Sequence, residues 1–144
     1  MRESARRFIM VKMIIGVKGT GKTKALINLV NEAAEATKGT VVCIEKGTGL
    51  RFDVKHTVRL INTNEYLIFD CEALYGFIAG ILASNHDVTD VFVDSALKIA
   101  NNEIAKFDDF VKKVDELSEK LGVNIVMTSS IPAEDVSDVV KKYL

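Results

Sequence analysis

Three features of the sequence predict an α/β fold, a mainly parallel sheet of about five strands layered between helices. Short β-branched runs alternate with longer helical patterns from Val11 onward, the signature of successive βα units. Most of these runs are continuously apolar, as strands covered on both faces must be. A glycine-rich turn, Gly16 to Thr23, joins the first run to the first helical pattern.

The strands are expected at residues 11–15, 40–44, 57–61, 90–93 and 124–128. A first helix is expected over about 21–36, with Leu26, Leu29, Val30 and Ala33 on one stripe and Gly39 as its terminator. A second, over about 71–83, is apolar nearly all round, which predicts burial, and Gly76 and Gly80 would allow a close approach to a neighbour. Phe107, Phe110, Val111, Val114, Leu117 and Leu121 recur at three- and four-residue spacing, so an amphipathic helix over about 108–121 should end at Gly122. Ala133, Val136, Val139, Val140 and Tyr143 form a last helical stripe, with Pro132 in its first turn, where the missing N–H does no harm.

Composition excludes several classes. The 144 residues are 48% hydrophobic and 27% charged, with one proline, two cysteines and no tryptophan. A chain this long buries roughly 70% of the surface its unfolded form exposes, which predicts one domain over residues 10–144 with a full core. The longest nearly unbroken apolar run, 74–83, is far short of the twenty or so residues that cross a bilayer, so no membrane association is expected. Cys43 and Cys71 stand alone in apolar stretches, the usage of buried thiols in a reducing compartment, and a cytoplasmic location is expected. Arg2, Arg6, Arg7 and Lys12 against Glu3 give the first twelve residues a net charge of +3, leaving 15 basic and 19 acidic groups in the rest. A duplex-binding domain needs a basic face, so no nucleic-acid partner is expected. Residues 1–9 are expected to be a disordered tail, either solvated basic chain or sequence upstream of a start at Met10 or Met13, and there is no internal repeat or linker.

Gly16-Val17-Lys18-Gly19-Thr20-Gly21-Lys22-Thr23 matches G-x-x-x-x-G-K-[ST] at every fixed position, the P-loop or Walker A motif. Its glycines let backbone N–H groups turn inward around phosphates, and the following helix N-terminus adds partial positive charge. Lys22 is expected to reach the β- and γ-phosphates and Thr23 to give its hydroxyl to Mg²⁺. The metal's second anchor is normally a carboxylate at the end of a buried strand. Val91-Phe92-Val93-Asp94 supplies one in a Walker B pattern, against the alternative of an Asp that caps the next helix. Hydrolysis also needs a group to orient or deprotonate water. Ser95, not Glu, follows Asp94, so Glu45 at the end of the second strand is the candidate, against a solvated charge paired with Lys46. Thr128-Ser129-Ser130 offers hydroxyls at the same edge, either to sense the γ-phosphate or to cap the last helix.

With these motifs the chain resembles the RecA-like (ASCE) branch of P-loop NTPases over roughly residues 11–130, and it is similar to small bacterial ATP-binding proteins. The resemblance implies a three-layer α/β/α fold with strand order 3-2-4-5-1, and it aligns Glu45 with the family's catalytic glutamate. It also implies ATP and Mg²⁺ as ligands and a Mg-dependent ATPase activity. Long DNA-binding loops of the family's recombinases have no counterpart, since Pro132 and a helical stripe follow Ser130 at once. A GTPase is disfavoured by the absence of N-K-x-D and D-x-x-G segments, and a MinD-type ATPase by Val17 where its signature lysine belongs, with Lys18 one position off. Two alternatives stay open: a non-hydrolysing ATP-dependent switch or adaptor, and a small P-loop kinase. Outside the tail, Arg51 and Arg59 are the only arginines, so Arg51 is either an ordinary surface-loop arginine or a transition-state cation acting in cis or toward a second copy of the chain, and otherwise that cation would come from a protein partner. His56 and His86 lack ligand spacing and read as loop histidines.

Overall fold

Apolar β-branched residues form five strands wherever a run is bounded by turn residues. The computed structural model describes residues 10–144; the tail expected over residues 1–9 lies outside the described residues. The strands are β1 (Val11–Ile15), β2 (Thr40–Glu45), β3 (Arg59–Asn62), β4 (Val88–Val93) and β5 (Asn124–Ser129). All neighbours pair in parallel, in the order β1-β5-β4-β2-β3, which read from the other edge is the implied 3-2-4-5-1. Register sets Ile15 beside Ser129, Met127 beside Val93 and Val93 beside Ile44. The carboxyl ends of β1, β5, β4 and β2 therefore share one edge.

Side chains alternate across the sheet, and both faces are covered. Helix α1 (Lys22–Ala36) lays Leu26 and Val30 on a face made by Val41, Cys43, Phe92 and Val126. On the opposite face Met13, Ile44, Val91, Val93, Ile125 and Met127 pack with α2 (Cys71–Ser84), α3 (Ala96–Ile99) and α4 (Ile104–Leu121). This is a three-layer α/β/α arrangement.

Several expectations are corrected. Helix α2 is not buried all round: Cys71, Leu74, Ile78 and Leu82 form one buried stripe, while a methyl added at Gly76 or Gly80 would meet nothing within 4 Å, so neither glycine marks a close approach. Asp70 caps its start, accepting from the Ala73 N–H at 2.7 Å. Helix α4 starts four residues earlier than its apolar stripe suggests, and Gly122 ends it in the left-handed conformation with φ 69°. The last stripe is not one helix. Pro132 precedes a 3-10 turn at Ala133–Asp135, Val136 is extended, and a separate short helix α5 (Asp138–Lys141) follows. Val136 and Val140 are both buried, so the stripe is real although the backbone is broken. Ser137 makes the break, since its hydroxyl accepts from the Val140 N–H at 3.1 Å and donates to Asp108 on α4 at 2.7 Å. Among the described residues no helix is long and apolar enough to cross a membrane.

Candidate functional site

The loop after β1 turns through three glycines at positive φ: Gly16 (153°), Gly19 (88°) and Gly21 (87°). A methyl at Gly16 would lie 2.6 Å from Thr20 Oγ1, so that glycine makes room for the loop to close. Thr20 and Lys22 hold the closed loop by donating to the Val17 carbonyl at 2.7 and 3.0 Å. Helix α1 starts directly behind, with Gly21 at its N-cap, no capping side chain and no acidic residue in the first turn. Its first closing bond is from the Ala25 N–H to the Gly21 carbonyl at 3.0 Å. Among the described residues the N–H groups of residues 18–24 donate to no protein acceptor. A row of free donors at the positive end of a helix dipole suits an anion.

The next residue past β4 is Asp94, and Thr23 Oγ1 lies 3.2 and 3.3 Å from its two carboxylate oxygens. These residues are 71 apart in sequence and arrive from different elements. Thr128, the fifth residue of β5, donates to Asp94 Oδ1 at 2.9 Å and accepts from the Ser95 N–H at 2.7 Å. The Asp94 N–H donates to the Ile44 carbonyl at 2.9 Å, which fastens the turn to β2 as well. Asp94 is therefore not a helix cap. Ser95 occupies the N-cap of α3 in the left-handed conformation, and Ser129 Oγ accepts from the Leu97 N–H at 3.3 Å. Thr128 and Ser129, two of the three hydroxyls at this edge, hold the turn after β4, and neither caps the last helix. Ser130 is exposed and lines a cleft along the glycine loop.

Glu45 ends β2 beside the β4 terminus, 5% exposed. It is not a solvated partner of Lys46, which reaches Asn64 Oδ1 at 3.1 Å. Both Glu45 oxygens accept from the Leu50 N–H at 3.3 Å. Burial pushes its pKa above the ordinary 4.5, the Asp94 charge adds to the rise, and the Leu50 and Gly49 N–H groups act against it. Behind it, burial raises the Cys43 thiol to about 12, with Glu45 and Asp94 contributing, so Cys43 is an inert packing residue.

Two clefts divide these groups. The larger, about 500 Å³, runs along the glycine loop and is closed opposite by Ser95, Leu97, Lys98 and Asn102. Its walls carry Lys18, Lys22, Lys24 and Lys98 and no carboxylate. The smaller, about 190 Å³, holds Glu45 with Arg51, Arg59 and Tyr66. Thus the loop residues and Asp94 are brought together, whereas Glu45 opens onto the neighbouring space. Arg51 lies over the Phe52 ring at 4.9 Å. His56 and His86 are exposed in turns. Lys24, Leu97, Lys98 and Asn102 are the cleft residues that sequence reasoning missed. The available signal was a single lysine inside the otherwise apolar run after Asp94.

Oxygen donors from one carboxylate and one hydroxyl, with room for water and phosphate, fit Mg²⁺, which takes few protein ligands when phosphates supply the rest. Comparison with protein-family models finds no match, and comparison with curated proteins finds none either.

Proposed function

We propose that this chain is a P-loop nucleotide-binding protein of the RecA-like kind that binds Mg-ATP at Gly16, Val17, Lys18, Gly19, Thr20, Gly21, Lys22 and Thr23 and hydrolyses it slowly. One observation carries the reading: Thr23, which lines a lysine-walled cleft and follows a row of free N–H groups, brings its hydroxyl against the Asp94 carboxylate. The N–H groups of residues 18–24 donate to phosphate oxygens. Lys22 leaves the Val17 carbonyl for the β- and γ-phosphates. Thr23 and Asp94 would hold Mg²⁺, which neutralises charge on the outer phosphates when bound. Glu45 sits one strand over and draws a proton from the attacking water. Slow turnover follows from its tie to the Leu50 N–H, which has to loosen before the carboxylate can reach the phosphate cleft.

A kinase reading draws on the smaller cleft, where Glu45 and two arginines surround space for an anionic acceptor. One experiment addresses both. Thermal unfolding of the wild type and of Lys22→Ala is followed with MgATP, MgGTP and a non-hydrolysable ATP analogue, with phosphate release assayed on the same samples. A ligand at 100 times its dissociation constant stabilises the fold by about 2.7 kcal/mol. The wild type alone is expected to gain stability with ATP and to release phosphate over many turnovers. A gain without release transfers the proposal to the switch or kinase reading. No shift with any nucleotide removes the nucleotide site.

A further inference from the structure

Residues 96–100 read Ala-Leu-Lys-Ile-Ala, and four of them are almost fully enclosed: Ala96 and Ala100 at 0%, Ile99 at 1% and Leu97 at 7% exposure. Lys98 alone faces out, and it faces into the phosphate cleft. Its backbone is held firmly. Leu97 donates to Ser129 Oγ, Asn102 donates to the Leu97 carbonyl at 2.8 Å, and Asn101 donates to the Lys98 carbonyl at 3.0 Å. Ser95, Asn101 and Asn102 bracket the segment at φ of 58°, 58° and 59°, a local concentration of left-handed non-glycine residues of the kind found at functional turns. Among the described residues no carboxylate lies within 4 Å of the Lys98 ammonium. A rigidly mounted, unpaired cation facing a triphosphate-sized cleft is available for an anion.

We infer that Lys98 is the cation that recognises the third phosphate, so that it selects nucleoside triphosphate over diphosphate; this rests on the Mg-ATP reading above. The side of the cleft decides which phosphate it meets. Lys18, Lys22 and Lys24 stand on the loop and the start of α1, whereas Lys98 comes from a separate element, α3, four residues after Asp94. Asp94 and Thr23 would hold the metal, which would neutralise charge on the outer phosphates, and Lys98 belongs to the segment that continues directly from Asp94, so it is placed for the outer end of the chain of phosphates. An ammonium there supplies in cis the charge that the two arginines, both lining the smaller cleft, do not bring to this one.

The test measures Mg-dependent binding of ATPγS and of ADP by calorimetry to the wild type, Lys98→Ala, Lys98→Arg, Lys22→Ala, and Lys120→Ala, an exposed lysine on α4 that serves as control. Loss of one charge-assisted hydrogen bond is expected to weaken ATPγS binding to Lys98→Ala by about tenfold, while ADP binding stays within about twofold. Lys98→Arg restores the preference, and Lys120→Ala matches the wild type. Equal losses for both nucleotides, or no loss for either, overturn the assignment of Lys98 while the nucleotide site stands. Failure of the wild type to bind either nucleotide overturns the site and the inference together. Binding to Lys22→Ala as tight as to the wild type does the same, because the ligand is then held elsewhere.

Discussion

At the scale of single residues, Thr128 decides how Asp94 is presented. A hydroxyl has one proton, and because Thr128 Oγ1 accepts from the Ser95 N–H, that proton points at Asp94 Oδ1. Thr128 is fully buried, so both bonds are made on the inner side of the turn. Thr128→Val is expected to cost about 1–3 kcal/mol, from a part-buried Ser95 N–H and a carboxylate that each lose their partner. It should also raise the Mg²⁺ concentration needed for ATP binding, whereas Thr128→Ser keeps both bonds. Denaturation and Mg²⁺ titration of the two variants test this, and a Val variant with unchanged Mg²⁺ dependence rules out a positioning role. Glu45 makes a pH prediction. Its folded pKa is raised above 4.5, so the folded state holds this proton over a window that opens near 4.5 and extends upward. Over that window the folded state binds more protons than the unfolded, and stability falls as pH rises. Glu45→Gln keeps an oxygen for Leu50 and has no proton to lose. In EDTA its melting temperature should gain on that of the wild type as pH increases from about 4.5. A difference that shrinks with rising pH would contradict the raised pKa.

Among elements, Gly39 shows how a residue can be singled out for the wrong reason. The sequence suggests that it stops α1, but the helix ends at Ala36, and Thr37 is already extended with its N–H on the Ala33 carbonyl. Gly39 is needed because a side chain there would run into the Asp87 carbonyl oxygen and lie 2.9 Å from Thr89 Cγ2, where β2 enters beside β4. The adjacent Thr40 N–H donates to that same carbonyl at 2.8 Å, so the backbone cannot easily retreat. Gly39→Ala is expected to cost about 1–3 kcal/mol by overpacking, with the helical circular-dichroism signal unchanged. Stability within about 0.5 kcal/mol of the wild type would mean that the approach is loose. The same contrast separates what was legible from what was not. Strands were readable to within two residues at each end because both faces are covered and the apolar runs are continuous. The loop Gly16 to Thr23 was readable because local spacing specifies it, and its meeting with Asp94, 71 residues on, because a carboxylate directly after an apolar strand lies at the sheet edge where the loop also stands. Helix α3 was not, because Ala96–Ile99 is a single turn and four residues cannot display a period. The break at Ser137 was hidden for a related reason: Val136 and Val140 keep their buried stripe across it, so hydrophobicity alone reads straight through. The enclosure of Glu45 depends on Leu50 folding back over it, a loop contact with no periodic signature.

For the whole molecule, the sheet order places the site over its best-held strands. β5 and β4 lie in the interior of the sheet, and their carboxyl ends carry Thr128, Ser129 and Asp94. The β1 edge is closed by the C-terminal segment, where the Tyr143 carbonyl accepts from the Met13 N–H at 2.7 Å and the Tyr143 hydroxyl donates to Asp115 at 2.7 Å. Four residues long, β3 forms the opposite edge, with Tyr66, Leu67 and Phe69 exposed just beyond it. Stability should therefore grade across the sheet, and amide exchange should be slowest in β4 and β5 and fastest in β3. Nucleotide adds a second expectation. Thr23 meets Asp94, Asp94 meets Thr128, and Thr128 holds Ser95. A ligand that orders residues 16–24 then also restrains residues 94–102, although the two segments belong to different elements. Exchange in both should slow with MgATP, while β3 keeps its rate. With Mg²⁺ omitted, protection is expected to persist in the loop and to weaken in 94–102, since on the proposed reading the carboxylate would engage the ligand only through the metal. Protection confined to residues 16–24 with Mg²⁺ present would show that the loop binds phosphate without engaging Asp94, leaving the segment after β4 outside the response to nucleotide.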